Sequence, residues 1–185
     1  MTEEQALMPS ASVFDAAGTA FVAGSRAEIP RVLAAVQVAA AAGFPTACAW
    51  WLRVRAVASE GDEAHVPSQY MEESLFLNTA ALRYASVLIV LAQAYGKLSA
   101  GTASDLGYFL AYADMDRAGR HGYISPRKRK VFLLGAHPTL WAHHPEIVRV
   151  SDLADLGAAL RAHTPQRTHS QRKTHLVDTG HEDES

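Results

Sequence analysis

The residues best suited to chemistry lie together in Ser99-Ala100-Gly101-Thr102-Ala103-Ser104-Asp105-Leu106-Gly107-Tyr108. An apolar run, Val87 to Leu91, precedes this stretch, and a helix-like run, Leu106 to Ala113, follows it. A strand, a turn of small residues and a helix together present free backbone N–H groups to an anion. Ser99, Gly101 and Thr102 would form that cradle. Asp105, one turn into the helix, adds a carboxylate that can serve as acid, base or nucleophile. The same residues also suit a local role, because Thr102 and Asp105 can act as a capping pair.

Other candidates lie further from this stretch. Gly24-Ser25-Arg26 is a second small-residue turn after an apolar run, and it offers N–H groups and a guanidinium. Asn78 falls on the helical stripe Met71, Leu75, Leu82 and Ala85, which points it inward. A buried amide needs partners, so Asn78 is either a bonded core residue or part of a site. Trp50 and Trp51 end a predicted strand, where alternation sends one ring to each face. One ring could stack on a planar ligand, and at least one packs in the core. Glu72 and Glu73 read as solvated helix charges. Cys48 sits in an apolar run and reads as a buried structural thiol. His137, His143 and His144 lack zinc spacing, so no metal is expected, and no other cofactor is indicated.

The elements that must position these residues alternate. Strands are predicted at 19–23, 46–51, 87–92, 131–134 and 147–150. Helices are predicted from near Ser25 to Ala42, from Ser68 to Tyr84, after Ser99, and from Ser151 to Ala162. Ser25 and Glu28 fit a capping box, although Pro30 moves the helix start later. Such alternation predicts one α/β domain, Rossmann- or flavodoxin-like, with a five-stranded parallel sheet flanked by helices. It covers residues 12–163, between a loose leader at 1–11 and a disordered polar tail at 164–185. Ligands bind such sheets at the carboxyl ends of the strands, an edge that the Gly24 and Ser99 turns would share.

Composition narrows the classes. The chain has 185 residues and a formal net charge of -2, so no overall basic field calls for nucleic acid. Arg127-Lys128-Arg129-Lys130 reads as a solvated loop rather than a nucleic-acid patch. One cysteine excludes an internal disulfide and fits a reducing compartment. Glu3 and Glu4 with no basic residues argue against a signal peptide. No apolar run approaches the roughly 20 residues needed to span a bilayer. The expected location is cytoplasmic, away from membranes.

Three segments resemble the nucleoside 2-deoxyribosyltransferase-like superfamily, which includes 2'-deoxynucleoside 5'-phosphate N-hydrolases. They are Phe21-Val22-Ala23-Gly24-Ser25-Arg26, then Ala85 to Val90 with Ser99 to Tyr108, then Lys130 to Leu134 with Ile147 to Leu156. The resemblance spans about residues 19–160. It implies cleavage of an N-glycosidic bond with retention: a carboxylate attacks the anomeric carbon, and water or a second base resolves the ester. The implied nucleophile is Asp105. Ser99 falls where relatives often carry Asp, and a hydroxyl there suits a 5'-phosphate that a carboxylate would repel. Gly24, Ser25 and Arg26 would add contacts to it, and Trp50 falls where the base-binding wall lies. The resemblance also implies a homo-oligomer, because such sites are often completed by a neighbouring subunit.

The chain departs from the family pattern at four places. Asp105 replaces a Glu and is one methylene shorter. Asn78 stands near the general-acid Asp and has no titratable proton. Phe21 replaces a Tyr, and Ser86 an Asp. The expected function is cleavage of a nucleoside 5'-monophosphate. The alternatives are a nucleoside deoxyribosyltransferase and a non-catalytic nucleotide-binding or sensing protein.

Overall fold

A computed structural model describes residues 18–52, 68–93, 96–119, 128–135 and 143–163. The leader, the tail, the polar loop at 54–67 and His137 lie outside the described residues. Among the described residues there are four strands: β1 (Ala20–Ala23), β2 (Val87–Leu91), β3 (Lys130–Leu134) and β4 (Ile147–Val150). They form a parallel sheet in the order β1-β2-β3-β4, with Phe21 beside Leu88 and Ile89 beside Phe132. The helices are α1 (Ile29–Ala41), α2 (Ser68–Tyr84), α3 (Ala100–Arg117) and α4 (Leu153–His163).

Alternation along the strands divides the core in two. Val22, Ile89, Leu91 and Phe132 pack with α1 and α4 through Val32, Val36, Leu156 and Leu160. Phe21, Leu88, Val90 and Leu133 pack on the other face with Leu82 of α2 and Leu106 and Phe109 of α3. All five residues of β2 are buried, which explains its unbroken apolar run. Each such side chain contributes about 1.5–3 kcal/mol relative to exposure, comparable with the cost of ordering its residue.

The predicted strand at 46–51 is not a fifth strand. Thr46 makes a single parallel bridge to Ala20, and helical residues begin at Trp50. Ala20 N–H donates to Pro45 (2.9 Å) and Ala47 N–H donates to Ala20 (2.7 Å). The Thr46 hydroxyl then bonds the Cys48 carbonyl at 3.1 Å, which bends the chain. Beyond the bend the Trp50 indole Nε1 donates to the Val22 carbonyl at 2.8 Å, so a side chain takes over from the backbone ladder.

Three further expectations change. Ser25 caps a short 3-10 turn, Arg26–Glu28, by accepting from Ala27 N–H instead of opening the long helix, while Pro30 sits, as expected, in the first turn of α1, where its missing N–H costs nothing. Leu75 is 69% exposed, because α2 meets the core through its last turns, at Ala81, Leu82 and Ala85. Arg129 is buried rather than solvated. Its guanidinium donates to the carbonyls of Leu82, Arg83 and Ala85 and pairs with buried Asp116. The C-terminus of α2 leaves carbonyls without helical donors, and Arg129 supplies them.

Candidate functional site

Because β1 and β2 are parallel neighbours, the chain segments leaving their carboxyl ends start side by side. The first segment carries Gly24, Ser25 and Arg26. A Cβ on Gly24 would stand 2.9 Å from Val32 Cγ2, so close packing of α1 on the sheet demands glycine there. The Ser25 hydroxyl is used in its cap, and Arg26 is exposed.

The second segment leads to Ser99, and the small-residue stretch is helical from Ala100 rather than a loop. Ser99 is the N-cap. Its Oγ accepts from Thr102 N–H at 3.1 Å and bonds Thr102 Oγ1 at 2.8 Å. The capping pair is therefore Ser99 with Thr102, not Thr102 with Asp105. Thr102 is only 2% exposed, and its hydroxyl is taken up within the cap with Ser99. Gly101 is exposed, and a Cβ there would meet nothing within 4 Å. Packing thus gives no reason for glycine at 101, in contrast to 24.

Asp105 lies half-buried beside Leu106 and Phe109, which anchor α3 to the sheet. Among the described residues no hydrogen bond or ion pair reaches its carboxylate. Burial without a partner disfavours the charge and raises its pKa from 3.8 to about 6. At neutral pH the group is ionised yet poorly solvated, the condition that suits a nucleophile or a base.

The remaining predicted residues are held by structural bonds. Asn78 Oδ1 accepts from the Cys48 thiol at 3.2 Å. Trp50 is half-buried, with its indole on Val22 and its ring edge-on to Trp51, which is fully buried in the core. Phe21 is fully buried.

Sequence reasoning missed Arg31. Its Nη1 donates to the Ala92 carbonyl at 2.6 Å and to Glu28 Oε1 at 3.0 Å, and its Nη2 reaches the Leu134 carbonyl at 3.5 Å. It thus stands at the carboxyl ends of β2 and β3. The signal was present: a cation in the first turn of a helix opposes the macrodipole and implies partners outside the helix.

The basic residues near β3 gather at the opposite edge of the sheet. There Arg117, Lys128, Arg129 and Lys130 line a cleft of about 520 Å³ with Asp116, Glu146 and His163. Lys130 pairs with Glu146 at 2.6 Å, and Arg117 with Asp114. Among the described residues no group of three His, Cys, Asp or Glu could hold a metal ion, and no helix is long and apolar enough to cross a membrane.

Fold and site together define an α/β protein with a parallel sheet and a half-buried carboxylate, unpartnered among the described residues, on a helix that starts from the sheet's carboxyl edge. Compared with protein-family models, with curated proteins and with solved structures, the chain matches none.

Proposed function

We propose that this protein cleaves the N-glycosidic bond of a nucleoside 5'-monophosphate, with Asp105 as nucleophile. The observation that carries the reading is the half-buried, unpartnered state of Asp105, with its pKa raised to about 6. In this reading the carboxylate attacks the anomeric carbon as the bond to the base breaks. The base leaves with the bonding electrons and takes a proton from solvent. Water then hydrolyses the glycosyl ester and restores Asp105. Ser99 and Gly101 border the phosphate, and the positive end of α3 favours it.

A non-catalytic nucleotide binder is the second reading, favoured by the Asn78–Cys48 bond and by Phe21, neither of which supplies an acid. Incubation with each nucleotide, with and without an acceptor base, separates the readings. Free base alone supports the hydrolase, base exchange supports a deoxyribosyltransferase, and binding without turnover supports the sensor. In the same reading the protein is a homo-oligomer in a reducing compartment. Leu75 and Phe76, 69% and 71% exposed on α2, are apolar surface that a second copy would cover.

A further inference from the structure

We propose that Arg31 anchors a phosphate monoester at the carboxyl edge of the sheet, through its Nε and Nη2 hydrogens. A guanidinium has five N–H groups in a planar fork. Nη1 uses two, on the Ala92 carbonyl and on Glu28, and Nη2 uses one on the Leu134 carbonyl. Ala92 and Leu134 follow or end adjacent strands, so their carbonyls take the two hydrogens at the tip of the guanidinium. Among the described residues that leaves Nε–H and the second Nη2–H, which point the same way from one side. This pair matches two oxygens of a phosphate.

Three observations place the open fork where a ligand can use it. The Arg31 side chain is 34% exposed, so the guanidinium is not sealed in the core. The edge is the one at which parallel sheets bind ligands, and α1 and α3 both begin after strands that end there. Their positive ends favour an anion. Glu28 bonds Nη1 and so holds the guanidinium without using Nε–H. Assigning the phosphate to a nucleotide rests on the function proposed above, but the phosphate site itself does not.

The test uses inorganic phosphate, ribose 5-phosphate and ribose as calorimetric probes of the full chain. Arg31→Lys keeps a charge and a donor for the Ala92 carbonyl but has no fork. Its affinity for ribose 5-phosphate should fall by about tenfold or more, as expected when a bidentate contact is lost, with ribose unaffected. A folded variant that binds every probe as the parent does would overturn the proposal. On the unmodified protein, phosphate should protect Arg31 from phenylglyoxal, read by mass spectrometry, and equal labelling with and without phosphate would also overturn it. Arg31-dependent phosphate binding without base release keeps this site and removes the glycosidase reading. Normal nucleotide cleavage by Arg31→Lys does the reverse.

Discussion

The Cys48 thiol donates to the Asn78 side-chain oxygen at 3.2 Å, joining the segment beside the sheet edge to helix α2. An aspartate at 78 could accept the same bond and would add a titratable proton. Asn78→Asp should therefore fold and speed base release, most clearly at mildly acidic pH. General acids contribute about a hundredfold or more when well placed. A pH–rate profile of both proteins checks this. A folded variant that is no faster at any pH would assign Asn78 a structural role, including its bond to Cys48.

Asp105 links activity and stability in opposite directions. Its pKa is raised from 3.8 to about 6, so the folded state holds the proton more tightly than the unfolded chain. The resulting stabilisation is full below pH 3.8 and is lost as the pH rises through about 6. Above that range the ionised group carries its desolvation cost, on the order of 1–3 kcal/mol with allowance for partial exposure. Asp105→Asn should thus be more stable than the parent at pH 7, lose that advantage toward pH 4, and release no base. Urea melts across the pH range provide the measurement. Lower stability of the variant at pH 7 would show that the carboxylate has a stabilising partner.

Gly101 separates ligand contact from packing. A methyl group there meets nothing within 4 Å, and alanine favours helices. Gly101→Ala should stabilise the fold by about 0.4–1 kcal/mol. Nucleotide affinity should nonetheless drop, because the methyl occupies the space a phosphate would approach. Thermal melts and calorimetry on one preparation show both effects. Unchanged affinity would remove Gly101 from the site.

Arg129 and Asp116 form a buried pair, with side chains 2% and 3% exposed. Arg129→Met removes the guanidinium from the buried Asp116 carboxylate and takes its donor from three carbonyls of and after α2. A loss of about 3–5 kcal/mol is expected, much of it regained in the double variant Arg129→Met with Asp116→Leu. Denaturant titration of the single and double variants reads the difference. An equal loss in both would put the cost on the helix end rather than on the lost Arg129–Asp116 pair.

The sheet was legible where burial is symmetrical. The run Val87 to Leu91 can be only a covered strand or a buried helix segment, and Gly24 and Gly135 punctuate its neighbours. The segment at 46–51 has the same apolar character, yet its conformation depends on one hydroxyl bond at Thr46 and one indole bond at Trp50. Such bonds depend on which groups meet in space, and periodicity does not encode that. Arg129 hides for the same reason: a run of basic residues reads as solvated until a helix end with free carbonyls lies beside it. In the site, the position of Asp105 one turn into a helix was legible. Its lack of a partner was not, because that depends on every group around it.

The Trp50 indole has a consequence for how this sheet meets other chains. Along the outer side of β1, Ala20 is bonded through both N–H and carbonyl, and the Val22 carbonyl is taken by the indole. A foreign strand finds no continuous template there. Among the described residues the other border is β4, where Val148 and Arg149 are exposed. A charged residue at such a border discourages runaway strand addition. Among the described residues the two margins are guarded by different means, one by occupied hydrogen bonds and the other by charge.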